Sequence, residues 1–86
     1  MKIRGQDFAE LLDMVRESPV YDQQDQYRAA GMSDKRHRWD CLWSVPVQVR
    51  QPWFDRVYKF ANDDHIDTAL RKIQSNSAEY LASREA

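Results

Sequence analysis

The chain has 86 residues with 13 basic and 14 acidic side chains, a formal net charge of -1, which leaves room for one small domain and excludes a two-lobed enzyme with a cleft between its halves. A single cysteine excludes an internal disulfide and a thiolate zinc cluster, and a mean hydropathy of -0.85 without any apolar run near about 18 residues excludes a membrane-spanning helix. Aromatics at 12% argue for a packed core, and two glycines with three prolines leave few breakers, so the expected fold is all-α, one domain over residues 1–86 built as a compact bundle of four to five short helices.

The first helix is marked by Phe8, Leu11, Leu12 and Val15, which fall at i, i+3, i+4 and i+7 on one stripe. Asp7 and Glu10 sit near its positive end, and the charged stretch from Met1 to Arg16 lacks the apolar core of a signal peptide, so a cytoplasmic location is expected. Ser18-Pro19 stops this helix, and the pair can either open a second helix, with Ser18 as N-cap, or begin a solvated loop through the polar run Asp22 to Gln26. Gly31 suits the left-handed position after a helix end.

Ser33 then caps a third helix over about Asp34 to Ser44, which carries Trp39, Leu42 and Trp43. Val45 to Val49 alternates like a strand but has no partner strand, so it reads as a connector or a helical turn. Pro52 is expected to open a fourth helix, apolar around most of its circumference through Trp53, Phe54, Val57, Tyr58, Phe60 and Ala61, and therefore central. Asn62-Asp63-Asp64 ends it, with Asp64 as the cap of a last helix bearing Ile66, Ala69, Leu70, Ile73, Ser77, Tyr80 and Leu81 in one stripe. Residues 83–86 are expected to fray.

Three groupings could carry chemistry. Asp63, Asp64, His65 and Asp67 offer oxygen and imidazole donors for a divalent ion, but the same acids suit a helix N-terminus and the ligand set has nothing to complete it. His37 and Cys41 share a helical face, which could activate a thiol or supply half a zinc site, but no second pair completes such a site and a buried structural cysteine beside a surface histidine is far more common. Neither grouping yields catalytic residues, bound metal or a cofactor, and the protein is expected not to be an enzyme.

The charge distribution is uneven. Residues 28–59 hold seven bases (Arg28, Lys35, Arg36, Arg38, Arg50, Arg56 and Lys59) against three acids, while the flanking thirds are acidic. Lys35, Arg36 and Arg38 beside Trp39 and Trp43 could bind nucleic acid, with phosphates held by the bases and a nucleobase stacked on an indole. The isoelectric point of 6.1 runs against a dedicated nucleic-acid domain. Tryptophan and arginine are also the residue types that anchor protein interfaces, so Trp39, Trp43, Lys35, Arg36 and Arg38 form the candidate partner-binding set. In the simplest packing Trp53 and Trp43 belong to the core and Trp39 lies half buried at its edge. Surplus aromatic surface could also be buried in a homodimer.

At Arg38-Trp39-Asp40-Cys41-Leu42-Trp43 and again at Asn62-Asp63-Asp64-His65-Ile66-Asp67-Thr68-Ala69-Leu70, the chain resembles short accessory proteins of tailed bacteriophages and prophages, over about residues 27–73. The resemblance implies a bacterial host cytoplasm and a non-enzymatic protein that binds and modulates a host protein, as in host takeover or counter-defence. It assigns no site residues. The alternative expectation is a nucleic-acid-binding protein that uses the basic segment 28–59.

Overall fold

The computed structural model describes residues 2–85, and side chains through residue 83. Among these residues there are six helices and no strand: α1 (Gln6–Arg16), α2 (Gln24–Ala29), α3 (Asp34–Trp43), α4 (Val47–Val57), α5 (Asp63–Ser75) and α6 (Ser77–Glu85). The all-α expectation is met with one helix more than the four or five anticipated. The radius of gyration, 12.5 Å, is close to the roughly 12 Å of a well-packed chain this long. No helix of the described residues is long and apolar enough to cross a membrane.

The apolar stripe of α1 behaves as its spacing dictates: Leu11, Met14 and Val15 are buried, and Phe8 and Leu12 pack partly buried against the same core. That core is closed by Leu42 from α3, Trp53, Phe54 and Val57 from α4, and Ile66, Leu70 and Ile73 from α5. Helix α1 packs on α3, α4 and α6, while α3 lies against α5. A hydrogen bond from Trp53 Nε1 to the Asp7 carbonyl (3.0 Å) and ion pairs from Arg56 to Asp7 and Glu10 fasten α4 to the start of α1.

Between α1 and α3 neither course holds as drawn: Ser18 caps no helix, and the polar run that could have been a loop is helical from Gln24. Residues 18–23 are held in turns by the burial of Ser18 and Tyr21, and the helix begins only at Gln24. Helix α2 buries no residue and is stopped by a complete Schellman motif: Met32 N–H donates to the Tyr27 carbonyl and Gly31 N–H to that of Arg28, both at 3.0 Å, with Gly31 at φ 80°. Ser33 then caps α3, its hydroxyl accepting from Arg36 N–H at 3.1 Å.

Three expectations about α4 and the start of α5 are corrected. Pro52 does not open the fourth helix; Pro46 is its N-cap, and Val45–Val49 forms the connector and first turn of α4. Proline at position 52 removes only the hydrogen bond to Gln48, an exposed residue, so the helix continues through it. Helix α4 is not central: Val47, Val49 and the following Tyr58 and Phe60 are exposed, and only Trp53, Phe54 and Val57 turn inward. The cap of α5 is Asn62, not Asp64. Asn62 Oδ1 accepts from His65 N–H while His65 Nδ1 accepts from Asn62 N–H, each at 3.1 Å, a reciprocal capping box in which histidine takes the place of glutamate.

The single long last helix is divided at Asn76. Its amide side chain bonds back to the Lys72 carbonyl (2.9 Å), its backbone leaves the helical region (φ -111°, ψ 21°), and its own carbonyl accepts from Tyr80 N–H to start α6. The stripe survives the break, since Ile66, Ala69, Leu70 and Ile73 are buried and Tyr80 and Leu81 pack on the core. The stretch expected to fray is helical as far as Glu85; position 86 lies outside the described residues.

Candidate interaction surface

Helix α3 divides its side chains between the core and one open groove. His37, Cys41 and Leu42 point inward, whereas Lys35, Trp39 and Trp43, spaced by four, share an outer face. Opposite them stand Tyr58, just beyond α4, and Asp63, Asp64 and Asp67 from the first turns of α5.

Asp67 holds the two helices together. Its carboxylate accepts from Arg38 Nε (2.8 Å) and Nη2 (3.2 Å), from Trp39 Nε1 (2.8 Å) and from Arg71 Nη2 (3.1 Å). The side chains of Arg38 and Asp67 are only 10% and 14% exposed. The Arg38 bonds, reinforced by those from Trp39 and Arg71 against the cost of burial, pull the carboxyl down to about 2. Asp67 is saturated by the chain's own donors, and Asp63 accepts from the Tyr58 hydroxyl at 2.5 Å. Among the described residues no three His, Cys, Asp or Glu side chains gather as metal ligands would.

Trp39 lies partly buried at the edge of the core as expected, whereas Trp43, expected within the core, does not. Trp39 is tied down through its indole nitrogen, and Trp43 is 49% exposed. Trp43 lies over Phe54 (centroids 5.3 Å apart, 17° between planes) instead of beneath the core, and Phe54 stacks in turn near Tyr58 (5.5 Å, 17°). With Trp39 at 6.4 Å from Trp43, the result is a ladder of four rings crossing from α3 to the end of α4. Phe54 is buried, while Trp43 and Tyr58 present about half their surface to solvent. Desolvation and the bond to Asp63 push the Tyr58 phenol up to about 12, so it remains a neutral donor. Arg50 completes the edge: its guanidinium sits 5.0 Å from the Trp43 ring centre and donates to the Trp43 and Val45 carbonyls, closing the C-terminal end of α3.

His37 is not a surface histidine. It is 3% exposed; its Nε2 lies 2.7 Å from the Val20 carbonyl and its Nδ1 3.0 Å from Gln74 Nε2. A carbonyl can only accept and the Gln74 amide nitrogen can only donate, so these partners require a neutral ring protonated on Nε2. Gln74 Nε2 also donates to the Asp34 carbonyl (2.9 Å), which joins the last turn of α5 to the start of α3. Cys41 is buried beside His37, and desolvation pushes its thiol up to about 12, which removes it as a nucleophile near neutral pH. What the sequence left hidden here is Gln74: an isolated polar residue in an amphipathic helix gives no signal of its pairing 37 positions away.

The basic segment 28–59 is largely neutralised by its own chain. Arg28 pairs with Asp34 (2.8 Å), Arg36 with Asp40 (3.0 Å), Arg38 with Asp67, and Arg56 with Asp7 and Glu10, while Arg50 is taken by carbonyls. Of the five residues picked out as a partner-binding set, Lys35, Trp39 and Trp43 line one groove, Arg38 lies behind it against Asp67, and Arg36 is drawn aside to Asp40. Tyr58 was missed as a member; it came from the segment read as central helix. Neither the family models nor the curated proteins nor the solved structures contain a match to this chain.

Proposed function

We propose that the protein is a small non-enzymatic interaction module of the phage-accessory kind, acting in a bacterial cytoplasm by binding and modulating a host protein. The observation that carries this reading is the ring ladder. Trp43 and Tyr58 remain half exposed on a face whose third ring, Phe54, is already buried, so two large side chains are held rigid in solvent. Rigid aromatic anchors beside a polar rim of Lys35, Asp63 and Asp64 are the ordinary make-up of a binding hot spot.

Nucleic-acid binding by residues 28–59 is the second reading. Its support is Lys35 next to two indoles; it is weakened because the five arginines of the segment are engaged by acids and carbonyls of the same chain. A tagged pull-down from bacterial lysate, with and without nuclease, separates the two. The interaction reading expects one stoichiometric host protein that survives nuclease and is lost with Trp43→Ala. Recovery that disappears with nuclease would sink it in favour of the second.

A further inference from the structure

Helix α4 has a second face. At 100° per residue, Val47, Arg50, Phe54 and Tyr58 look toward the ring ladder, and Val49, Pro52, Trp53 and Arg56 point the opposite way, toward α1. On that side a groove runs between the two helices in two adjoining lobes that share Asp13, Met14 and Val49. Its floor is apolar, built from Met14, Val45 and Trp53, and its outer wall carries Val49, which is 53% exposed. One end is closed by the Arg56–Glu10 ion pair.

Two properties specify what fits. All three prolines of the chain, Pro19, Pro46 and Pro52, line the groove. Proline fixes the wall and offers no N–H, so an extended segment laid here would find few backbone partners and a helix, which satisfies its own backbone, is favoured. The other wall is the edge of α1, where Glu10, Asp13 and Glu17 follow at helical spacing. Among the described residues Asp13 and Glu17 have no ion-pair partner, and both stand near the negative end of the α1 dipole, where acids are least at ease. Two acids without an ion pair among the described residues, Asp13 and Glu17, along an apolar trough complement a positive edge.

We infer that the α1–α4 groove is a docking site for an amphipathic helix of a partner protein whose apolar stripe is bordered by lysine or arginine. The site is independent of the Trp43 face and stands or falls without it. Apolar residues at i, i+3, i+4 and i+7 of the incoming helix would lie over Met14, Val45 and Val49, with its bases along Asp13 and Glu17. An anionic membrane is disfavoured by the same acids.

The probe is a pair of helical peptides with one leucine stripe, bordered by lysine in one and by glutamate in the other, titrated into the uniformly labelled full chain and followed by amide chemical shifts. The lysine-bordered peptide should saturate, move amides within 13–19 and 45–53, and bind at least tenfold more weakly to Val49→Asp. The double variant Asp13→Lys/Glu17→Lys should reverse the preference toward the glutamate-bordered peptide. Val49 is exposed, so its variant should keep the wild-type circular dichroism, and the charge-reversed pair provides a second reading that does not depend on it. Equal binding of both peptides, shifts confined to the Trp43 face, or no saturation would overturn the assignment. Movement of the same amides with protein concentration alone would assign the groove to a second copy of the chain, and movement on adding phosphatidylglycerol vesicles would assign it to lipid; either would also defeat it.

Discussion

Trp39 Nε1 and Arg38 Nε both donate to one oxygen of Asp67, each at 2.8 Å, so neighbouring side chains on α3 converge on a single acceptor in α5. The pair explains why Trp39, preceded by bases in a polar helix, is not the free anchor its sequence surroundings suggest.

Asp67→Asn should therefore cost about 3 kcal/mol of stability, because it leaves the Arg38 guanidinium nearly buried without its counter-charge. The wild-type protein should also show a matching acid dependence. A carboxyl held at about 2 when folded, against 3.8 ordinarily, contributes about 2 kcal/mol that is present above pH 3.8 and lost as the pH falls through 2. Urea titrations of both proteins between pH 6 and pH 2 should give curves that converge at the acid end; parallel curves would refute the assignment.

The two histidines should respond very differently to removal. His37→Ala opens a cavity and abandons the Val20 carbonyl and the Gln74 amide, a loss of about 3 kcal/mol. His65→Ala removes half of a capping box, a loss of about 1 kcal/mol. Denaturant midpoints of the two variants at neutral pH test the ordering.

For the tryptophans the expected split is between folding and binding. Trp39→Ala should destabilise by about 3 kcal/mol, since it takes a donor from Asp67 as well as apolar contact with the core. Trp43→Ala should cost about half as much, keep the helical circular dichroism, and abolish capture of the host partner. A Trp43 variant that captures its partner normally would remove the ring ladder from the interface.

Cys41 should be protected from alkylation in the folded protein. Raising its thiol from 9.0 to about 12 lowers the thiolate fraction near pH 8 on the order of 1,000-fold, before shielding by burial is counted. Iodoacetamide labelling should then follow global unfolding, accelerating with urea in step with the loss of ellipticity. Rapid labelling without urea would show that α3 opens locally.

Local signals were read well wherever one residue dictates one geometry. Gly31 takes the left-handed position required by the Schellman motif, Ser33 caps α3, and the periodic apolar residues of α1 and α5 are inward. The misreadings concern choices settled by distant partners. Pro52 can sit inside α4 because Pro46 supplies an earlier start and an exposed turn tolerates the missing bond. Asn76 breaks the last helix through a side-chain bond that competes with the backbone, an outcome that apolar periodicity cannot register. His37 is buried because Val20 and Gln74 meet its two nitrogens, and neither is near it in sequence. The candidate surface was visible as residue types on α3, but the anchoring of Trp39 by Asp67 and the outward stacking of Trp43 on Phe54 depend on other helices.

The bond from Trp53 to the Asp7 carbonyl spans 46 positions, and the other elements that cover α1 are α3 and α6. During synthesis α1 leaves the ribosome before α3, α4 and α6, the helices it packs on. Its apolar stripe must wait in solution until α4 has followed, at which point Trp53 and Arg56 arrive together. The nascent chain therefore carries an incompletely covered amphipathic helix over the 46 positions that separate Asp7 from Trp53, and that interval is when it is most exposed to chaperones and proteases.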